Sequence, residues 1–219
     1  MISKSTLDFL KKLKKNNNRS WFEKNKHHYL EAKEDIEDTV QHLITEFSKF
    51  APELKELKAK KCVFRIYRDV RFSKDKRPYK ANLGAGLNQG GKKVHSPGFY
   101  IHFEPGNSFI AGGIWMPEPP ELSSIRQEID YNAKDFLKII KNNTFKKYFK
   151  TLDQDDKLKT VPKGYDKTHP QIEFLKLKSF LVLHHFTDKQ IMARSAVKDI
   201  AKIAKEIRPL NQFLKKAMD

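Results

Sequence analysis

The chain has 219 residues, of which 38% are apolar, 11% aromatic and 32% charged, enough apolar material for one compact domain or at most two small ones and too much for a disordered tail. No window approaches the roughly 18 consecutive apolar residues of a membrane span, and the charged start MISKSTLDFLKKLKK lacks a hydrophobic region, so a cytoplasmic protein without membrane contact is expected. The 44 Lys and Arg against 27 Asp and Glu leave +17, which points to an anionic partner, and the lone Cys62 excludes an internal disulfide.

Ser3 or Ser5 can cap a first helix carrying Leu7, Leu10 and Leu13, which the run Asn16-Asn17-Asn18 ends. Ser20 with Glu23 three residues on reads as a capping box for a long second helix that stops before Pro52. From Cys62 the period becomes two, which predicts a strand from Cys62 to Asp69 with Arg65 and Asp69 on one face and Arg68 on the other. Further strands are predicted over 82–87, 98–104 and 108–116, the last two joined by a turn at Pro105-Gly106. Phe99, Ile101 and Phe103 then share one face of their strand, and Tyr100 and His102 the other. Helices follow Pro117, with Asn132 as the cap of the second, and a polar loop runs over 153–170. A last strand is expected near 179–186, and Thr187 caps terminal helices. The expected fold is α+β, an antiparallel sheet packed against several helices in a single domain over 1–219: a helical N-terminal region over 1–58, a sheet core over 62–116 and a helical C-terminal region over 119–219 containing one strand.

Of the 44 cations 36 are Lys and 8 are Arg, yet Arg65, Arg68, Arg71 and Arg77 fall within 13 residues. Arginine has the planar fork that carboxylates and phosphates match, so its enrichment here marks a candidate anion site. Arg65, Arg68 and Arg71 would clamp the anion, Lys74, Lys76 and Lys80 would add attraction, Asp69 would orient the arginines, and Tyr67, Phe72 and Tyr79 are interleaved. The alternative is a salt-bridged strand end with a solvated basic loop.

The stretches RIYRDVRFSKDKRPYKANLG, SPGFYIHFEPG, GGIWMPEPPELSSIRQEI and LKTVPKGYDKTHP, with the opening FLKKLKKNNNRSWFEKNKHHY, closely resemble the bacterial and fungal family catalogued as domain of unknown function 2461. The likeness covers nearly the whole chain and implies membership and fold. The family name carries no activity, so none is implied. Ala81 and Asn82 stand where the resemblance leads to an expectation of Thr and a polar or His residue.

Two further clusters stand out. Tyr100, His102 and Trp115 form either a pocket floor, with His102 as acid or base, or a second hydrophobic layer around a hydrogen-bonded core histidine. Lys163, Tyr165, Asp166 and His169 form either a wall completing the site or a rigid turn, and Arg126 either reaches the same pocket or pairs with Glu128 or Asp130. Gly84-Ala85-Gly86 is no phosphate loop, and the paired histidines lack metal-ligand spacing, so no cofactor and no metal is expected. The partner expected is an anionic small molecule in a cationic, aromatic-lined pocket, with a nucleic-acid-binding module as the alternative. If the chain is an enzyme, His102, His169 or Asp69 would be its acid or base; its reaction class and oligomeric state do not follow from the residues.

Overall fold

The computed structural model describes the backbone of all 219 residues and every side chain except that of Lys93. Among the described residues, ten α-helices accompany one four-stranded antiparallel sheet, the α+β class expected. The helices are α1 (Lys4–Lys15), α2 (Arg19–Lys24), α3 (Lys26–Ser48), α4 (Ala59–Cys62), α5 (Pro119–Tyr131), α6 (Ala133–Ile140), α7 (Asn143–Phe149), α8 (Ile172–Leu175), α9 (Asp188–Met192) and α10 (Ala196–Met218). The strands are β1 (Leu83–Leu87), β2 (Gly98–Phe103), β3 (Ser108–Ile114) and β4 (Phe180–Phe186), neighbours in that order. Residues 1–94, 100–110 and 185–202 form one compact unit, and residues 95–99, 111–184 and 203–219 a second.

Local chemistry sets the helix ends. Ser3 caps α1 by accepting from the Thr6 amide, and Thr187 closes a capping box with Gln190 at the start of α9. The long second helix expected from Ser20 is divided into α2 and α3. Asn18, in extended conformation, takes the cap by accepting from the Trp21 amide at 2.9 Å, and Asn25 returns its side-chain amide to the Trp21 carbonyl at 2.8 Å. Asn132 likewise ends α5 through its backbone, while Asn142 caps α7 through Oδ1.

The strand expected from Cys62 to Asp69 is absent. Cys62 ends the short α4, and the residues after it make only the isolated bridges Val63 to Ala85 and Tyr67 to Tyr79. The chain bends at Ile66 and its partner changes there: Phe64 bonds to Gly84, whereas Ile66 and Arg68 bond to Lys80 and Pro78. Pro78 has no N–H to offer, so the second pairing cannot grow into a ladder.

In the first unit, α3 packs on α1, α4 and β1. It buries Ile36, Val40, Leu43 and Phe47 as its apolar stripe requires. Phe22 is fully buried and stacks on Tyr79 with centroids 3.9 Å apart, which pins the basic segment to the helices. In the second unit, α5 packs on α6 and α8, and Phe136 lies edge-on to Phe174 at 5.1 Å. Among the described residues, no helix is long and apolar enough to cross a membrane.

Candidate functional site

The first unit holds an open cavity of about 670 Å³. One wall is the polar face of β2. Phe99, Ile101 and Phe103 point into the core, so strand alternation turns Tyr100 and His102 the other way, with Glu104 continuing the same parity. Gly84 of β1 makes room for the tyrosine: a Cβ there would stand 2.5 Å from the Tyr100 hydroxyl and 2.9 Å from the Ile101 carbonyl oxygen.

These three side chains form a chain of hydrogen bonds. The Tyr100 hydroxyl lies 3.1 Å from His102 Nδ1, the Asn82 amide approaches the same nitrogen at 3.4 Å, and Nε2 lies 3.2 Å from Glu104 Oε2. A neutral ring protonated on Nε2 satisfies all three contacts, with Nδ1 accepting from Tyr100 and Asn82 and Nε2 donating to Glu104. The ring also stacks on Phe109 at 4.6 Å. Burial pushes the His102 imidazolium below its ordinary 6.5, outweighing the Glu104 carboxylate beside it, and burial raises the Tyr100 hydroxyl to about 12. Burial works upward on Glu104 too, but hydrogen bonds from His102, Lys14 and Asn107 prevail and hold it below its ordinary value.

A pH profile follows. With the folded-state value of His102 depressed, the unfolded chain binds more protons in the window below 6.5, so the contribution of this group is present above 6.5 and lost as pH falls through the folded value. Urea midpoints at about pH 7.5 and about pH 5.5 should therefore fall apart in wild type and draw together in His102→Gln. Equal pH sensitivity in the two proteins would show that the group lies elsewhere. Glu104 acts the same way in a lower window, below its ordinary 4.5.

The basic segment lines the same cavity through Arg68, Asp69, Arg77, Tyr79 and Lys80. Tyr79 is held at both backbone groups by one side chain, with Asn17 Nδ2 donating to its carbonyl at 2.9 Å and Asn17 Oδ1 accepting its N–H at 3.1 Å. Asn17→Ala should lower stability by about 1–3 kcal/mol in urea titration, since it strips both bonds from a buried residue. Arg68 reaches Asp75 at 2.6 Å, and Arg77 grips the same carboxylate through Nε and Nη2. Arg71 grips Asp69 in the same manner, which holds the Asp69 carboxyl down to about 2. Lys76 donates to the Val70 carbonyl at 3.0 Å, while Arg65 and Lys74 are exposed.

Lys80 differs from the other cations. It is half-buried, its ammonium lies 5.6 Å from the centroid of the Phe64 ring, and among the described residues no carboxylate pairs with it. Burial lowers its ordinary value, and the charges of Arg65, Arg68 and Lys92 add to that.

Arg68, Asp69, Arg77, Tyr79, Lys80, Tyr100 and His102 thus line one cavity, joined by Lys14, Asn17, Ala81, Asn82 and Glu104, which were not among the expected site residues. Of these, Glu104 was within reach of strand parity; Lys14 and Asn17 come from the end of α1 and the turn after it, with no local sign of their destination.

The other candidates belong to the second unit. Trp115 is 64% exposed, and its carbonyl accepts from His95 Nε2 at 2.8 Å. Arg126 spends its guanidinium on the Leu175 and Leu177 carbonyls at 2.7 and 3.2 Å, so it pairs with neither Glu128 nor Asp130. His169 uses both ring nitrogens, Nε2 on Asp130 at 2.9 Å and Nδ1 accepting the Gln171 N–H at 3.0 Å. Tyr165 lies edge-on to His169, its hydroxyl raised by burial, and Lys163 is exposed. Among the described residues, no three His, Cys, Asp or Glu side chains are grouped to hold a metal ion.

A family model described as a conserved hypothetical protein, DUF2461, matches residues 5–213. The chain belongs to the DUF2461 family. Neither a curated protein nor a solved structure matches it. The Arg-rich segment, Asn17 and the polar face of β2 all fall inside the matched region of this DUF2461 protein.

Proposed function

We propose that the first-unit cavity binds a small anion bearing phosphate or carboxylate groups, with Lys80 as its principal contact. The observation that carries this reading is the state of Lys80: a half-buried ammonium, among other cations, with no carboxylate of its own among the described residues. Removing such a group from water is unfavourable unless an opposite charge accompanies it, and a bound anion supplies one. Arg68 and Arg77 share Asp75 and Arg71 holds Asp69, so each of these arginines has a carboxylate partner while Lys80, more buried than Arg71 and Arg77, has none among the described residues. Arg65 and Arg68 add long-range attraction, and Asn82 and Tyr100 offer neutral hydrogen-bonding groups beside it.

The reading is binding rather than catalysis. Asp69 is committed to Arg71, and His102 has Tyr100 and Glu104 on its two nitrogens. The test is thermal unfolding with inorganic phosphate, pyrophosphate and citrate, each at constant ionic strength, in wild type and in Lys80→Met. Stabilisation by at least one anion that vanishes in the variant is expected; equal stabilisation in both proteins defeats the assignment.

A further inference from the structure

The basic segment, which lines the cavity through Arg68, Asp69, Arg77, Tyr79 and Lys80, carries at Phe72 a feature that a small anion leaves unexplained. Phe72 is 95% exposed, at the tip of a loop whose polar contacts hold it in shape. Two Asp-x-Arg clamps bracket it: Asp69 accepts the backbone N–H of Arg71 as well as its guanidinium, and Asp75 does the same for Arg77. Lys76 then ties back to the Val70 carbonyl across the loop. The guanidinium groups are therefore fixed in direction, each with N–H groups left over. A loop that presents an aromatic ring 95% exposed, with the Arg71 guanidinium 5.9 Å from its centroid, has the chemistry of a partner surface, since the remaining face of the ring is buried only when something covers it.

Resting on the reading of Lys80 as an anion contact, we infer that the partner is a single-stranded nucleic acid, one phosphate entering the cavity at Lys80 while a neighbouring base stacks on Phe72. Aromatic rings that stack bases, set among cations that follow a phosphate backbone, are the general means of holding unpaired strands. A duplex is disfavoured because its bases are stacked on one another and offer no face to Phe72. A flat anionic membrane fits less well: Phe72 is the only large apolar side chain at the loop tip, and Lys80 lies within a cavity that a plane of headgroups does not enter.

The test uses the full chain and a fluorescently labelled twelve-residue oligothymidylate in anisotropy titrations over a range of salt. Binding should weaken steeply with salt, log Kd rising by about 0.7 per log unit of salt for each phosphate contacted. Phe72→Ala should weaken it by about ten-fold or more without altering the salt slope, since stacking is lost and no charge changes. Lys80→Met should weaken it and reduce the slope by one contact. No binding of the oligonucleotide at about 50 mM salt overturns the inference, and so does binding untouched by Phe72→Ala. Phosphate stabilisation that depends on Lys80 would then leave the small-anion reading standing. Oligonucleotide binding that depends on Phe72 and not on Lys80 overturns the cavity contact and keeps the surface. Phe72-dependent sedimentation with phosphatidylserine vesicles, in the absence of oligonucleotide binding, assigns the loop to membranes instead.

Discussion

Lys80→Met is expected to leave the protein at least as stable as wild type while abolishing its stabilisation by anions. Both effects have one cause. The folded protein keeps the Lys80 ammonium half-buried among Arg65, Arg68 and Lys92, so its proton is held less firmly than in the unfolded chain. A depressed folded-state value means that the unfolded chain binds the extra proton, and stability attributable to this group rises with pH toward the ordinary lysine value of 10.5. Methionine has a similar length and no charge, and so removes that penalty at every pH. A bound anion removes it as well, and an anion at about 100 times its Kd stabilises a folded protein by about 2.7 kcal/mol, a shift of several degrees at this chain length. The variant should lose that shift entirely. Lys74→Met, at an exposed position of the same segment, should retain it. If both variants lose the shift equally, the loss reflects net charge and not a site.

The largest loss of stability is expected from Gly113→Ala in the second unit. Gly113 has φ +115, where an L side chain is strained, and a Cβ there would press far inside contact distance on the Phe180 carbonyl oxygen and stand 3.2 Å from Leu181 Cα. Both obstacles are backbone of the neighbouring strand β4, so neither can turn aside as a side chain would. A loss of at least about 4 kcal/mol, or failure to accumulate as folded protein, is expected. Gly106→Ala provides the comparison. Its φ is +74, but nothing lies within 4 Å of the added Cβ, so the cost should be the conformational contribution alone, about 1–2 kcal/mol. Similar urea midpoints for the two variants would mean that β3 and β4 can separate, and that the close approach is not what requires glycine.

The regions of this fold that could be read from the residues are those governed by short periods. The alternation over 98–104 places Phe99, Ile101 and Phe103 in the core and Tyr100 and His102 on the polar face, as their burial bears out. Thr187 and Ser3 are caps because a hydroxyl at that place satisfies amides only three residues away. The segment after Cys62 misled for a related reason: its alternation is real, but a strand needs one continuous partner, and the exchange from Gly84 to Pro78 lies outside the segment. The cavity depended on still longer reach. Lys14 meets Glu104 across 90 positions and Asn17 meets Tyr79 across 62, pairings that no local pattern encodes. Asp69 was expected to orient arginines, and it holds Arg71; the matching hold of Asp75 on Arg77 and Arg68 rests on side-chain directions that residue order does not give.

Asn17 has a consequence for how the first unit opens. One side-chain amide here occupies the place of a peptide group on an adjacent strand, accepting and donating to the same residue as a neighbouring chain would. The Tyr79 N–H is therefore shielded by a residue that follows directly on α1, and its exchange with solvent deuterium is tied to release of the N-terminal turn rather than to motion of the Arg-rich loop beside it. Asn17 thus joins the cavity lining at Tyr79 to the turn after the first helix, and faster deuterium exchange of the Tyr79 amide in Asn17→Ala is the expected sign of that coupling.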